Sequence, residues 1–345
     1  MNHMTKLVLA GLKKWQNIFH GATTSFCTAR TRGGQYLVAR QNPDGSFGTY
    51  RRGPKAYSKI LMAWHVCGYT KEANRLCQWI RNCGMTPDGD FGPRPQGKSD
   101  HDYIYPNSWI IMGAHQLGAF DISQRGMDFL MTFWDSDSGG FYSSRTEKNA
   151  STKQDLIFVG FAGLAALYTG KTDVARGVGR WMNRLMALQP RFPQGLYTVY
   201  SRQQGLYTQY QPEEANRHFL DFSASTGEQF FFQIGVAGGF LAELFVATRE
   251  PEWLDLAQQY MQGAISANDH FFSTVRAGKV GWAASLLHTL TGERQYKDLA
   301  FRVGNFLVSS QTSQGSWGNG PGQPGNDDLT AEMVLWLNAI HRMEA

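Results

Sequence analysis

The sequence predicts an all-α protein whose residues 1–345 form a single domain, an (α/α)6 barrel in which six outer helices surround six inner helices. Two observations lead to this prediction. Amphipathic segments with one charged face alternate along the chain with segments that are apolar on all sides. A short polar stretch also precedes each apolar segment, so the alternation behaves as an internal repeat.

The amphipathic segments are the predicted outer helices. Their apolar residues recur three or four positions apart, which is the spacing of a helix with one face in water. One segment shows this with Leu254, Ala257 and Met261. The six segments cover residues 23–41, 71–83, 121–134, 172–189, 251–266 and 293–311.

The apolar segments are rich in Gly and Ala, and we predict that they are the inner helices. A helix without a polar face has to be buried among other helices. These six segments cover residues 56–68, 105–118, 155–170, 229–245, 278–292 and 329–341.

A polar leader precedes each apolar segment. If the inner helices are parallel, all six leaders meet at one end of the barrel, together with the unpaired amide donors and the positive ends of the helices. We therefore expect the functional site at this mouth. The leaders are residues 49–55, 98–103, 146–154, 221–228, 271–277 and 324–328.

One connection is much longer than an ordinary loop between helices. Residues 189–222 contain two copies of the sequence GLYT. An insertion of this length in a compact domain is typical of a lid or binding segment. A β-hairpin that decorates the barrel explains it equally well, and the sequence leaves both interpretations open.

The charge pattern argues against a nucleic-acid partner, because 33 basic and 28 acidic residues, net +5, are spread along the chain without a basic stripe. The four cysteines lack metal-binding spacing and suit a reducing cytoplasm. No apolar run reaches the roughly 18–20 residues that span a bilayer. We expect a cytoplasmic monomer or weak homodimer, with a peripheral membrane contact left open.

Three connections from an outer to an inner helix share one turn, at residues 36–47, 129–141 and 306–317. In two of them a glutamine, Gln41 or Gln311, is followed by a glycine and an aromatic residue. We expect the glutamine to cap the end of its helix and the glycine to adopt a positive φ. The aromatic ring then fills the space between repeats.

These two glutamine turns resemble the QW repeat of squalene–hopene and oxidosqualene cyclases, which also occurs in the β subunits of protein prenyltransferases. The segment NDDLTA that follows, residues 326–331, resembles the DxDDTA signature of class II terpene cyclases. Asn326 and Leu329 depart from that signature. Because the chain holds only one barrel, it is most similar to monodomain class II cyclases of the merosterolic acid synthase type.

The resemblance implies a reaction as well as a fold. Asp328 stands where the protonating aspartate of the signature stands, and Asp327 lies beside it. Such an acid protonates a terminal alkene or epoxide of a prenylated aromatic acid, and polycyclisation follows. It has to be neutral before the reaction and held in a dry site. No metal is implied, although a divalent cation such as Mg²⁺ would suit an anionic head group.

Aromatic side chains and arginines at the mouth are the predicted substrate contacts. Aromatic faces stabilise a carbocation by about 0.5–2 kcal/mol each, and arginine binds an anionic head group. Core packing and solvated charge are the alternatives. The predicted substrate-binding residues are Asn326, Trp109, Phe222, Phe231, Trp282, Trp64, Tyr103, Arg51 and Arg276.

A second acidic leader contains Asp100 and Asp102. Aspartate here is either a helix cap or a second catalytic carboxylate that positions or protonates the main acid. His101 and His218 are candidate bases, with an ordinary structural role as the alternative.

A carbohydrate-active (α/α)6 enzyme is the alternative function. An unsaturated glucuronyl hydrolase, a polysaccharide lyase or a sugar epimerase would also use Asp, His, Tyr and Arg at one mouth, and paired carboxylates suit hydrolysis. The cavity distinguishes the two functions. An aromatic, mostly apolar chamber indicates a cyclase, whereas an open polar cleft with two exposed carboxylates indicates sugar chemistry.

Overall fold

The computed structural model describes residues 25–48, 50–94, 103–318 and 325–343, without the side chains of residues 50–52, 212 and 213. Its α-helices, in chain order, are α1 (25–38), α2 (Ile60–Cys67), α3 (Thr70–Trp79), α4 (Ile104–Gln116), α5 (Phe120–Met131), α6 (Leu156–Tyr168), α7 (Thr172–Ala187), α8 (Pro212–His218), α9 (Phe232–Thr248), α10 (Pro251–Ile265), α11 (Gly278–Thr291), α12 (Arg294–Ser309) and α13 (Asp327–Arg342). Short 3-10 segments lie at Tyr50–Ala56, Asp269–Phe272 and Val275–Ala277, and a π turn at Ile80–Gly84 extends α3.

The inner helices form a closed ring. Helix α2 contacts α4, α4 contacts α6, and α6 contacts α9. In turn α9 contacts α11, α11 contacts α13, and α13 packs back against α2. The amphipathic helices α3, α5, α7, α10 and α12 pack outside this ring, each against inner helices, and α1 contacts α13 and α12. The predicted (α/α)6 barrel is thereby confirmed.

The inner helices run parallel. Lys59 precedes α2, Lys279 is the second residue of α11 and Asp328 is the second residue of α13, and these side chains belong to one cluster. Residues in the C-terminal halves of all six inner helices line a single cavity towards the other end. Ring closure requires close helix approach, and Gly235 of α9 allows it because a Cβ there would lie 2.4 Å from the carbonyl carbon of Lys279.

The glutamine turns connect neighbouring outer helices. Gln41 donates hydrogen bonds to the carbonyl oxygens of Gly45 in its own turn and of Glu72 in α3, each at 3.0 Å. Gln311 bonds the carbonyl oxygens of Gly315, at 2.9 Å, and Ala29 of α1, at 2.8 Å. The expectation that these side chains cap their own helices is therefore wrong, because their amides reach the next outer helix instead.

The remaining expectations for the turn agree with the structure. Gly45 and Gly315 have φ values of 88° and 91°, and the Trp317 ring is fully buried. A fourth turn of this kind, not predicted, lies where Met85 bridges Phe91. Its sequence, TPDGDF, is similar to NPDGSF of the first turn, and this similarity would have been enough to predict the fourth turn.

The long insertion contains short strands and one helix. The insertion strands are β2 (Gly195–Tyr197), β3 (Val199–Ser201), β4 (Gly205–Leu206) and β5 (Phe219–Asp221), and they pair with one another and with β1 (Gln154–Asp155), which lies before the insertion. They form two antiparallel sheets, with the order β1-β3-β4 in one and β2-β5 in the other. Because β1 leads directly into α6, the first sheet fixes the insertion beside the start of that inner helix. Its role as a lid stays a prediction.

None of the helices in the described ranges is both long enough and apolar enough to cross a membrane.

Candidate functional site

Four charged side chains meet at the N-terminal end of the inner ring. Lys59 Nζ lies 2.7 Å from Asp328 Oδ2 and 2.5 Å from Glu332 Oε2. Lys279 Nζ forms an ion pair with the other Glu332 oxygen, Oε1. Trp336 Nε1 donates a further hydrogen bond to Glu332 Oε1 at 3.3 Å. We call Lys59, Lys279, Asp328 and Glu332 the ionic cluster; two ammonium groups balance two carboxylates.

The ionic cluster is buried except at Asp328. The side chains of Lys59, Lys279 and Glu332 are 3, 4 and 8% exposed, whereas Asp328 is 30% exposed. Burial would lower the pKa of Lys59, but the carboxylates of Asp328 and Glu332 raise it well above its usual value. Burial would likewise raise the pKa of Glu332, but the two lysines lower it to about 2. Lys59 and Glu332 are therefore both charged at neutral pH.

This arrangement differs from the neutral acid expected at Asp328. A charge-assisted hydrogen bond joins Asp328 to the Lys59 ammonium group, instead of the dry, uncharged surroundings that the resemblance implies. Its assignment as proton donor stays a prediction.

The neighbours of Asp328 have separate partners. The Asn326 side chain is the N-cap of α13 and accepts hydrogen bonds from the backbone N–H groups of Asp328 and Leu329. Asp327 pairs with Arg40 at 2.6 Å on the outside of the ring. The side-chain oxygen of Asn326, a predicted substrate contact, therefore accepts the two capping hydrogen bonds. The Asp327 carboxylate is paired with Arg40.

Aromatic rings continue from the ionic cluster into the lumen. Lys59 Nζ lies 5.3 Å from the ring centroid of Tyr105, and Lys279 Nζ lies 4.8, 5.6 and 5.9 Å from the centroids of Phe232, Trp336 and Phe161. These distances are within the range of cation–π contacts. Phe161 and Trp336 also line the aromatic chamber, so they connect it with the ionic cluster, whose own four residues do not line it.

The chamber is a cavity of about 430 Å³, within the usual size of small-molecule sites. Its aromatic lining is mutually packed: Trp282 stacks on Trp336 with centroids 5.3 Å apart, and Trp109 lies 4.9 Å from Phe161. The rim at the C-terminal end includes the exposed residues His65, Gln116, Thr289 and Arg342. This cavity thus opens at the end opposite the predicted mouth.

Glu243 is an acidic residue in the lining of this cavity. Burial raises its pKa to about 7. The nearby hydroxyl group of Tyr168 also lines the cavity, and the charge of Glu243, together with burial, raises the pKa of Tyr168. A carboxyl group in these surroundings is about half protonated at neutral pH.

The predicted aromatic residues fall into two groups. Trp109 and Trp282 line the cavity. Trp64 is fully buried against Phe47, with centroids 5.7 Å apart. Phe222 and Phe231 pack together in the core, and Phe231 also stacks on Phe271. These three side chains lie outside the cavity lining because they fill the packing between structural layers.

The predicted polar contacts are also dispersed. Tyr103 accepts a hydrogen bond from Arg145 at 3.0 Å, and the Arg94 guanidinium group lies 3.8 Å from its ring centroid. Arg276 pairs with Glu228 at 3.2 Å, away from the cavity lining. Asp100, Asp102 and His101, together with the side chain of Arg51, lie outside the described residues.

A second, polar pocket of about 160 Å³ lies beside the insertion. Here His218 Nδ1 is 3.2 Å from Asp155 Oδ2, and both side chains are largely buried. Asp155 also caps α6 through the Ile157 N–H. The other lining residues are Ser143, Lys153, Val199, Glu214 and Arg217.

Sequence reasoning missed Lys59 and Glu243 as site residues. Each is a single charged residue inside a segment that is otherwise apolar, ILMAWHVC after Lys59 and GFLAELF around Glu243. A lone charge on a helix without a polar face faces either the lumen or a buried partner, which is the signal that would have identified them. Within the described ranges, no group of three or more His, Cys, Asp or Glu side chains is arranged to hold a metal ion.

No protein-family model matches the sequence, and no curated protein sequence matches it. Solved structures do resemble it. A D-mannose isomerase superposes with a TM-score of 0.67 and 11% identity, covering 91% of this chain and 97% of the isomerase. An α-1,6-mannanase from Salegentibacter sp. HEL1_6 gives 0.63 and 13%, covering 92% and 99%.

A variant type II terpene cyclase from Scytonema, in complex with its product merosterolic acid A, gives a TM-score of 0.58 and 12% identity over 94% of this chain and 99% of the cyclase. At these identities the likeness shows the shared (α/α)6 barrel alone. The cyclase, the isomerase and the mannanase all have this fold, so the fold does not choose among their chemistries.

Proposed function

We propose that the protein is a terpenoid cyclase that converts a prenylated aromatic acid into a polycyclic isomer inside the barrel lumen. The aromatic cavity is the observation that carries this proposal. A carbocation has to be kept from water and held against aromatic faces, and Trp109, Phe161, Trp282 and Trp336 supply such faces around one chamber.

The two ends of the cavity suit the two ends of such a substrate. The prenyl chain is apolar and fits among the tryptophans, whereas the aromatic carboxylate needs a cation. Arg342 lies at the exposed rim and can bind a carboxylate there. Arg51 and Arg276, which were predicted for this task, are not among the residues that line the cavity.

The ionic cluster lies on the N-terminal side of the chamber, where Phe161 and Trp336 both contact Lys279 and line the cavity. Because its charges are neutralised within the cluster, it adds no unpaired charge near the cation. The catalytic assignment of Asp328, Asp327, Asp100 and Asp102 remains part of the proposal to be tested by substitution.

The test uses the purified protein with a farnesylated hydroxybenzoic acid and with the terminal epoxide of the same compound. A cyclase yields a product of unchanged mass and altered chromatographic retention, whose rings are identified by NMR. Absence of any isomeric product with either compound, and with geranylgeranyl homologues, would overturn the proposal.

Carbohydrate chemistry is the second candidate, favoured by the polar pocket that holds Asp155 and His218. A histidine close to a carboxylate is a candidate general base, and Lys153 and Arg217 line the same pocket. The resemblance to a mannose isomerase and a mannanase motivates the substrates: mannose and α-1,6-linked mannose oligosaccharides. If the wild-type protein converts one of these sugars and His218→Asn does not, the carbohydrate function is favoured over the cyclase function.

A further inference from the structure

We propose that the Glu243 carboxyl group is the acid that starts the reaction in the aromatic cavity, and that the group it protonates is an epoxide oxygen. This inference rests on the proposed cyclase function and specifies its acid and its substrate class. The initial protonation then takes place in the C-terminal half of the lumen and not at the N-terminal mouth, where Asp328 lies.

The position of Glu243 is the first argument. It lies on α9 and lines the cavity together with Trp282 and Tyr168. Its side chain keeps partial surface exposure because it faces the cavity, although protein surrounds it. An acid so placed contacts whatever occupies the chamber, whereas Asp328 is not among the lining residues.

The protonation state is the second argument. Burial raises the pKa of Glu243 to about 7, and no charged side chain among the described residues counteracts that shift. The other titratable or charged groups in the lining are Tyr168 on α6, His65 on α2 and Arg342 on α13. Burial lowers the pKa of His65, so it is neutral at pH 7 and leaves the Glu243 proton in place.

The acid strength selects the substrate. A carboxylic acid of near-neutral pKa is a good general acid toward an oxygen base at neutral pH, whereas an alkene carbon is a far weaker base. Glu243 donates its proton to the epoxide oxygen as the C–O bond breaks; the C–O electron pair stays on that oxygen, which becomes a hydroxyl group. Successive alkene π pairs attack the cation and close the rings. The last cation loses a carbon-bound proton to water, and the Glu243 carboxylate takes a proton back from water, so the product is an isomer.

The helix ends are the third argument. Residues in the C-terminal halves of six parallel inner helices line this cavity, and each helix C-terminus carries a partial negative charge of roughly half an elementary charge. This field stabilises a cation within about one turn of the helix ends. At the N-terminal mouth the helix field is positive and disfavours one.

The test compares Glu243→Gln with Glu243→Asp, and uses Glu252→Gln, at an exposed position of α10, as the matched carboxylate control with wild-type activity expected. Binding of the farnesylated epoxide is followed by quenching of tryptophan fluorescence, and turnover by formation of the isomer. We expect Glu243→Gln to bind the epoxide with an affinity within about threefold of that of wild type. Its kcat should be lower by about 10²–10⁴-fold. Glu243→Asp should retain part of the activity, and the non-epoxidised compound should bind without reacting.

A second readout does not depend on turnover. Infrared difference spectra of the free protein between acid and alkaline pH should show a carboxylic acid band that disappears with a midpoint near pH 7 and is missing in Glu243→Gln. Wild-type turnover of the epoxide with undiminished turnover by Glu243→Gln would overturn this inference while the cyclase function stood. Lack of turnover by wild type with all compounds would overturn both.

Discussion

Lys59 Nζ and Asp328 Oδ2 are 2.7 Å apart, although 269 residues separate them in the sequence. Lys59 stands immediately before the first inner helix, α2, and Asp328 lies in the first turn of the last one, α13. Their ion pair therefore spans the contact where the ring of inner helices closes. Lys59 also pairs with Glu332 of α13, so its buried ammonium group makes two ion pairs across the contact between α2 and α13.

Glu332→Gln should be strongly destabilising. It removes the carboxylate that pairs with both buried lysines, so that Lys59 keeps only Asp328 and Lys279 loses its ion pair with Glu332. Breaking a buried ion pair on one side costs about 3–5 kcal/mol. Urea denaturation measures the change. Asp328→Asn is the control and should lose much less, because Asp328 is 30% exposed and water can replace it. Equal losses in the two variants would contradict this account of the ionic cluster.

Glu332 should make the protein less stable in acid. Its pKa is lowered from 4.5 in the unfolded chain to about 2 in the fold. Its ionised form thus contributes about 3 kcal/mol above the unfolded pKa, and this contribution is lost as pH falls from about 4.5 to about 2. Unfolding free energies of wild type and Glu332→Gln should converge over this range, and parallel curves would contradict the prediction.

Glu243 should have the opposite pH dependence. Its pKa is raised from 4.5 to about 7, so the folded state binds more protons than the unfolded state between these values. Stability therefore falls as pH rises through this window, by about 3 kcal/mol in total. Glu243→Gln lacks the effect, and its stability relative to wild type should increase by that amount between about pH 4 and about pH 8. A pH-independent difference would show that Glu243 ionises normally in the fold.

Trp282→Phe and Trp64→Phe should separate cavity function from core packing. Both remove part of a buried indole, at a cost of about 1–3 kcal/mol by denaturation. Only Trp282 lines the cavity, so only its substitution should change the rate or the product distribution of cyclisation. Chromatographic product profiles at a temperature where both variants are folded provide the measurement. Altered products from Trp64→Phe alone would place the site elsewhere.

Gln311→Ala should destabilise the junction between α12 and α1. The side-chain amide donates to Ala29 and Gly315, and loss of hydrogen bonds to backbone carbonyls costs about 1–3 kcal/mol. Gln41→Ala removes the matching pair of bonds between α1 and α3 and should cost a similar amount. Thermal unfolding of the two variants checks this, and exposed Gln314→Ala should have no measurable effect.

Local sequence features were sufficient to predict the barrel. Periodicity and the absence of a polar face depend on residues within one helix, so they distinguished outer helices such as α10 from inner helices such as α9. The cap at the start of α13 is equally local: Asn326 accepts two hydrogen bonds from residues two and three positions further along. The glutamine turns were recognised from their spacing, but their partners were not, because Gln41 bonds a carbonyl on the following outer helix.

The sequence by itself thus determined the helical repeat, the parallel leaders and the presence of Asp328 at the head of the last inner helix. Only the tertiary structure decided that Lys59 neutralises Asp328, that the aromatic cavity opens at the opposite end, and that Glu243 is its buried acid. Charge state depends on distances between groups far apart in the chain and on exclusion of water, and neither is encoded in local spacing. The closure of the ring of inner helices determined both the distances between these groups and the exclusion of water from them.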